Sequence, residues 1–314
     1  MSDPWLEPRP EGVPVLAVVG TMNFGGRTPA DESVRIVDRA LERGLRFFDT
    51  ANAYSNGESE RLLGRALKGR RGEVRIATKV GIGALEGPSE GLDPETVRRA
   101  LDESLERLGV DRIDLYYLHA PDPKTPVEAT LDALARAQGA GKIRDWGVSN
   151  YASWQIADLV HRCRGRAPGP PRASQVIYNL LVRQLEVEYF AFAREFRIHT
   201  TVYNPLAGGL LAGRVGARFD DNPRYQRRYL GARLRQLAEQ HVALAREAGI
   251  DPVAMAYGWL AQRPGVDSIL VGPATVGQLD AALDGCAAAI PADVTANIDR
   301  IYSDYLGTEV RYAR

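Results

Sequence analysis

The stretch RFFDTANAY, Arg46 to Tyr54, begins as a buried strand and changes character within four residues. Arg46-Phe47-Phe48 is apolar enough for a sheet, yet it runs straight into Asp49, and Tyr54 follows a short polar loop. A strand that ends on an acid needs something beyond its tip that tolerates charge. Seven other short apolar runs surround this one: VLAVVGT (15–21), EVRIATKV (73–80), IDLYYLH (113–119), IRDWGVSN (143–150), ASQVIYN (173–179), IHTTVYN (198–204) and VDSILVG (266–272). With LRFFDT (45–50) they make eight strand candidates, mostly continuous apolar runs of the kind covered on both faces.

Amphipathic segments separate them. Asp93-Pro94 reads as an N-cap with proline at the first helical position, followed by Val97, Leu101, Leu105 and Leu108 on one face and a stop at Gly109. An earlier helix sets Val34, Val37 and Leu41 on one side and stops at Gly44. The PGPP run at 168–171 reads as a rigid turn, and no composition shift divides the chain. Eight strands each followed by a helix predict an α/β fold, a (β/α)8 TIM barrel of one domain over 1–314, with the active site at the C-terminal face of the strands. Residues up to about 12 read as an N-terminal extension, and about 205–231 as a cofactor and substrate loop. A doubly wound open sheet is the alternative, but GTMNFGG stands after the first strand where a dinucleotide fold needs G-x-G-x-x-G.

Composition narrows the function. Forty basic and forty acidic side chains balance, so no general electrostatic pull toward nucleic acid or anionic membrane is expected. Two cysteines, Cys163 and Cys286, are too few for a disulfide framework, and they and the scattered His161, His199 and His241 lack metal-ligand spacing, so no metal is expected. The opening MSDPWLEPRPEG lacks the pattern of a secretion signal, and no apolar run approaches the ~20 residues of a membrane span. A cytoplasmic location is expected. Trp146 falls within a strand and is expected in the core.

In a barrel, chemistry sits at the C-terminal ends of the strands. Those ends carry Asp49, Lys79 and His119 on three consecutive strands, with Tyr54 just past the first. Singly, each has an ordinary structural explanation: a turn cap, a packed phenol, a rim charge, a hydrogen-bonded imidazole. Together they suit carbonyl reduction. A carbonyl receiving hydride develops an alkoxide and needs a proton donor. A tyrosine near its unperturbed pKa of ~10 is a poor acid at neutral pH, but a neighbouring ammonium favours the phenolate. Asp49 would hold Lys79 charged, and a neutral His119 can donate a hydrogen bond to the carbonyl oxygen.

At this point the residues resemble a known family. DTANAY, IATKV and YYLHAPDP look like the aldo-keto reductase tetrad of Asp49, Tyr54, Lys79 and His119. GKIRDWGVSNY (141–151) is similar to the motif whose Ser149 and Asn150 bind the nicotinamide carboxamide, and Gln175 matches the residue that joins them. YNPLAGGLLAGR (203–214) resembles the segment in which Tyr203 stacks on the nicotinamide ring and the following loop wraps the pyrophosphate. That assigns Asn204, Pro205, Leu206, Ala207, Gly208, Gly209, Leu211, Gly213 and Arg214 to the cofactor, with Gly20, Thr21 and Met22 at its nicotinamide end. ILVGPATVGQLDAAL (269–283) corresponds to the adenosine segment, bringing in Gly272, Ala274, Thr275 and Gln278. The resemblance covers essentially the whole chain and lies closest to the aflatoxin-aldehyde and succinic-semialdehyde reductase branch.

It implies NADPH-dependent reduction of an aldehyde or ketone, with Tyr54 as proton donor, by a monomer or homodimer. The adenosine segment departs from the family pattern: Ala274 replaces a usual serine, Ala281-Ala282 replaces a Glu-Asn pair, and no lysine or arginine lies between Gly272 and Gly285. NADH therefore stays open as the donor. Seven arginines between Arg214 and Arg235 face only Asp220 and Asp221, which reads either as a solvated loop or as a cationic flap. By resemblance to the branch, Arg228 and Arg314 are the candidates for contacting an acidic substrate. Two other functions fit the same motifs: a cofactor-binding regulatory subunit resembling potassium-channel β-subunits, and a specialised reductase of a sugar or secondary metabolite.

Overall fold

The computed structural model describes residues 4–83, 89–213, 229, 231–308 and 310. All eight expected strands form: β1 Leu16–Gly20, β2 Phe47–Asp49, β3 Arg75–Val80, β4 Ile113–Leu118, β5 Ile143–Ser149, β6 Ala173–Ile177, β7 His199–Tyr203 and β8 Ser268–Val271. They pair in parallel and in sequence order, and β8 closes on β1 to complete a single (β/α)8 barrel. Each is shorter than its apolar run by one to three residues at its ends.

The helices among the described residues are α1 Ala30–Glu42, α2 Glu58–Ala66, α3 Pro94–Leu108, α4 Val127–Gly139, α5 Ser153–Arg162, α6 Tyr189–Glu195, α7 Ala232–Glu247, α8 Pro252–Ala261, α9 Val276–Cys286 and α10 Ala292–Leu306. Local chemistry sets their ends. Asp93 accepts from the amides of Glu95 and Thr96, both at 3.1 Å, Pro94 starts α3, and Gly109 stops it at φ 64°. In α1 the buried stripe centres on Ile36, Val37 and Ala40, one step round from the expected Val34–Leu41 face.

Two apolar cores result. The larger lies between sheet and helices, and Trp146 belongs to it. The smaller fills the barrel itself, with Leu6, Val18, Phe47, Ala77, Leu115, Tyr117 and Ala173. Space inside is tight. At Gly147 a Cβ would stand 2.6 Å from the Ala173 carbonyl oxygen and 2.9 Å from the Tyr117 ring.

Because side chains alternate along a strand, this inner cluster determines what comes next. Two residues beyond Phe47, Ala77, Tyr117 and Ala173 stand Asp49, Lys79, His119 and Gln175. The same periodicity that packs the barrel's interior aims polar groups into its C-terminal mouth.

Candidate active site

Asp49 and Lys79 are both buried and in contact, one Asp49 oxygen accepting from the Lys79 ammonium. Lys79 Nζ also donates to the Thr50 carbonyl at 2.8 Å and to the Tyr54 hydroxyl at 3.4 Å. The other Asp49 oxygen accepts from Gln175 Nε2 at 2.8 Å. Burial by itself would push the Lys79 ammonium down, but attraction to Asp49 and Tyr54 outweighs it and holds Lys79 above its ordinary value. Burial raises the Asp49 carboxyl against the opposing pull of Lys79 and Gln175. With an acceptor on three sides, the ammonium keeps its proton.

Tyr54 opens a short turn, with Ser55 and Asn56 in left-handed backbone at φ 47° and 52°. Its ring stands edge-on to His119, centroids 6.0 Å apart. The Lys79 ammonium lies 5.1 Å from the Tyr54 centroid and 6.0 Å from that of Tyr117. The three strand-end groups and Tyr54 from the following loop thus share one mouth.

Beside them runs a second polar row. Asn150, itself left-handed at φ 63°, donates to the His119 carbonyl at 2.9 Å and to Ser149 Oγ at 3.1 Å. Ser149 Oγ donates to the Gln175 carbonyl at 3.0 Å, and the Tyr203 hydroxyl donates to Asn150 Oδ1 at 2.6 Å. The Ser149 hydroxyl, the Asn150 carboxamide and the Tyr203 hydroxyl, which the resemblance assigns to the nicotinamide, thus hydrogen-bond with one another and with main-chain carbonyls along this row.

Past Tyr203 the chain turns sharply, with Asn204, Ala207, Gly208, Gly209 and Gly213 all at positive φ. Asn204 Oδ1 accepts from the Gly208 amide at 2.9 Å, and its Nδ2 donates to the Tyr229 hydroxyl at 2.7 Å. Ala207 and Leu211 bury their side chains in the outer core, so they offer a ligand only backbone. At Gly209 a Cβ would meet nothing within 4 Å among the described residues. Arg214, Arg228 and Arg314 lie outside the described residues.

The adenosine segment is already furnished with internal partners. The Ala274 amide donates to Gln278 Oε1 at 2.8 Å, the Val276 amide to Glu32 Oε1 at 2.8 Å, and the Gln278 amide to Thr275 Oγ1 at 3.3 Å. Asn23 Nδ2 ties GTMNFGG to this segment through the Gly272 and Pro273 carbonyls, at 3.0 and 3.2 Å. Thr21 is fully buried with its hydroxyl in the barrel wall, while Met22 is exposed at the mouth.

Sequence reasoning passed over several groups. The Thr50 carbonyl that receives Lys79 is main chain, which no motif reveals. Glu60 is fully buried, accepting from Thr78 Oγ1 at 2.5 Å and from Arg107 Nε at 2.6 Å. Its signal was present: in ESERLLGRA it stands three residues before Leu63, on the inward face of α2. Glu32 gave none, since contact with α9 needs the closed barrel. Among the described residues no group of His, Cys, Asp or Glu side chains could hold a metal ion, and no helix is long and apolar enough to cross a membrane.

Comparison with known proteins bears on the family. Human aflatoxin B1 aldehyde reductase member 2 is 42% identical over 226 residues, 71% of this chain and 62% of that protein. Human aflatoxin B1 aldehyde reductase member 4 is 38% identical over 71% of this chain and 67% of its own length. The aldo-keto reductase YhdN of Bacillus subtilis (strain 168) is 33% identical over 90% of this chain and 86% of its own. The match to member 2 thus spans about three fifths of that relative. The aldo/keto reductase family itself matches residues 17–303, from β1 to near the end of α10. Closed barrel, converging side chains and near full-length match lead to one conclusion: the chain belongs to the aldo/keto reductase family.

Proposed function

We propose that this protein reduces an aldehyde or ketone to an alcohol, taking hydride from NADPH, with Tyr54 as proton donor. The observation that carries this reading is the buried Lys79 ammonium, in contact with Asp49 and 3.4 Å from the Tyr54 hydroxyl. When bound, the reduced nicotinamide supplies the hydride. The chain's own residues handle the charge that follows. Tyr54 passes its hydroxyl proton to the carbonyl oxygen as the alkoxide develops. Lys79 stabilises the phenolate left behind, and Asp49 keeps Lys79 charged and aimed. His119, edge-on to Tyr54, donates a hydrogen bond to the same oxygen.

The test is Tyr54→Phe, assayed by NADPH consumption with 4-nitrobenzaldehyde. The rate falls by ~10²–10⁴-fold, the usual share of a general acid, while NADPH binding, followed by tryptophan fluorescence, stays within about twofold. A variant retaining more than about a tenth of the wild-type rate refutes the proton-donor role.

NADH is the second reading for the donor. Glu32 and Gln278 already occupy the Val276 and Ala274 amides, with a carboxylate at the start of α9. An acid placed so favours a ribose hydroxyl over a phosphate. Dissociation constants for both cofactors decide between them, and Glu32→Gln favours the phosphorylated one if the carboxylate is the cause.

A further inference from the structure

Tyr54 stands at the head of an unfavourable run of backbone. Ser55, Asn56 and Gly57 follow one another with φ of 47°, 52° and 84°. Left-handed residues that carry a Cβ persist only where the surroundings over-determine them. Here the restraint comes from the first turn of α2.

Ser59, fully buried, is the second residue of that helix. Its hydroxyl donates to the Thr21 carbonyl at 2.8 Å and lies 2.7 Å from Thr21 Oγ1 and 3.0 Å from Thr50 Oγ1. Thr21 Oγ1 reaches the Asp49 carbonyl at 3.2 Å. The three hydroxyl protons can all be satisfied at once: Ser59 to the Thr21 carbonyl, Thr50 to Ser59, and Thr21 to Ser59 or the Asp49 carbonyl. One residue on, Glu60 takes Thr78 Oγ1 at 2.5 Å. Thr50 follows Asp49 and Thr78 precedes Lys79, so α2 is fastened beside both. Thr50 has a double role, since its carbonyl receives Lys79 Nζ at 2.8 Å while its hydroxyl meets Ser59.

We propose that Ser59 and Thr50 are positioning residues for proton transfer: their hydroxyls clamp the first turn of α2 against the end of β2 and so fix the spacing between the Tyr54 hydroxyl and the Lys79 ammonium. This rests on the proposed role of Tyr54. Among the described residues, the titratable and charged groups around that phenol include Asp49 on β2, Lys79 on β3 and His119 after β4. Behind the loop stand Glu60 and Arg107, whose side chain is 2.7 Å from where a Cβ on Gly57 would be. Of these, Lys79 lies within hydrogen-bonding reach of the Tyr54 hydroxyl, so its spacing governs how readily the phenol gives up its proton.

The experiment compares full-length wild type with Thr50→Val, Thr50→Ser, Ser59→Ala and Tyr54→Phe. Thr50→Val keeps the side chain's shape and removes only its hydroxyl. It and Ser59→Ala lower kcat by about ten- to a hundredfold, the scale of an ångström's misplacement. Both move the basic limb of the kcat–pH profile upward by about one pH unit, because a phenol farther from the ammonium loses its proton less easily. KM for 4-nitrobenzaldehyde and Kd for NADPH stay within about twofold, since neither hydroxyl faces the mouth. Thr50→Ser restores the wild-type basic limb. If Thr50→Val and Ser59→Ala lower only the melting temperature, the hydroxyls are merely structural and the proposal is overturned. Thr50→Val decides alone if Ser59→Ala does not fold. Should Tyr54→Phe keep its rate, the reading of Tyr54 fails; a dead Tyr54→Phe beside unshifted hydroxyl variants fails the clamp alone.

Discussion

The barrel carries buried polar clusters at both ends, and they are built differently. At the N-terminal floor the chain's first segment serves as a plug. Leu6 fills the barrel axis, and Trp5 packs on Phe47 with centroids 4.3 Å apart. Glu7 joins Arg172 and Arg197 at 2.7 and 2.6 Å, and their hydrogen bonds hold its carboxyl below the ordinary range. Arg9 donates its amide to Asp267 and its guanidinium to the Val266 carbonyl, at 2.6 and 2.9 Å. His199 is fixed between the Glu7 carbonyl and Ser268 Oγ, at 3.2 and 3.0 Å. At the mouth, by contrast, the polar groups ring open loops. Of the six described non-glycine residues at positive φ, five (Ser55, Asn56, Asn150, Asn204 and Ala207) lie there, and Arg197 alone lies at the floor. Charge inside a barrel is therefore no mark of catalysis. Charge at strand ends bordered by strained loops is the better indicator.

The sharpest challenge to that contrast is Lys79→Met. It leaves Asp49 buried without its cation, which costs about 3–5 kcal/mol of stability, and it removes the ammonium proposed to assist Tyr54, lowering the rate by ~10²-fold or more. Denaturant melts and turnover together check both. A variant as stable as wild type means that Asp49 sheds its charge without cost, and the mouth does not depend on the ion pair.

At the floor, Leu6→Ala separates the two properties. Emptying a site that is 1% exposed removes about 2–5 kcal/mol in urea melts, with kcat unchanged at temperatures where the protein stays folded. A proportionate loss of rate means that the two ends are coupled.

His199 gives a smaller, pH-dependent effect. Burial lowers its pKa, against the pull of Asp267, so the folded state resists the proton that the unfolded chain accepts near ~6.5. Stability therefore falls as pH drops through that value, and none is lost above it. His199→Asn removes this loss between neutral and acidic pH, read as the difference in melting curves. An equal slope in both proteins assigns the acid sensitivity elsewhere.

Least affected is Glu7→Gln. Its partners Arg172 and Arg197 are 30% and 76% exposed, and such pairs are worth under about 1 kcal/mol. Activity is unchanged. A larger loss means that the plug depends on charge more than on Leu6.

How much of this was legible beforehand varies from residue to residue. Asp93-Pro94 and Gly109 announced α3, because caps are local chemistry. Asp49, Lys79 and His119 stood out because strand periodicity is local and strand ends have a known face. The functional pairing of Tyr54 with Lys79 was inferred from chemical complementarity, and its 3.4 Å separation came only from the fold. Ser59 looked like any polar helix residue until Thr21 and Thr50 closed round it. Glu7 and His199 gave no sign of meeting across the floor.

By itself, then, the sequence determined the alternation of strand and helix, the inward set of side chains on each strand and the kinds of group that would stand at the rim. These follow from periods of two and 3.6 and from capping, all of which act over a few residues. Only the tertiary structure decided which of those groups touch, which are pinned and which stand on strained backbone. Such contacts join residues dozens to hundreds of positions apart, and barrel closure, driven by burial of the whole apolar surface, sets their distances.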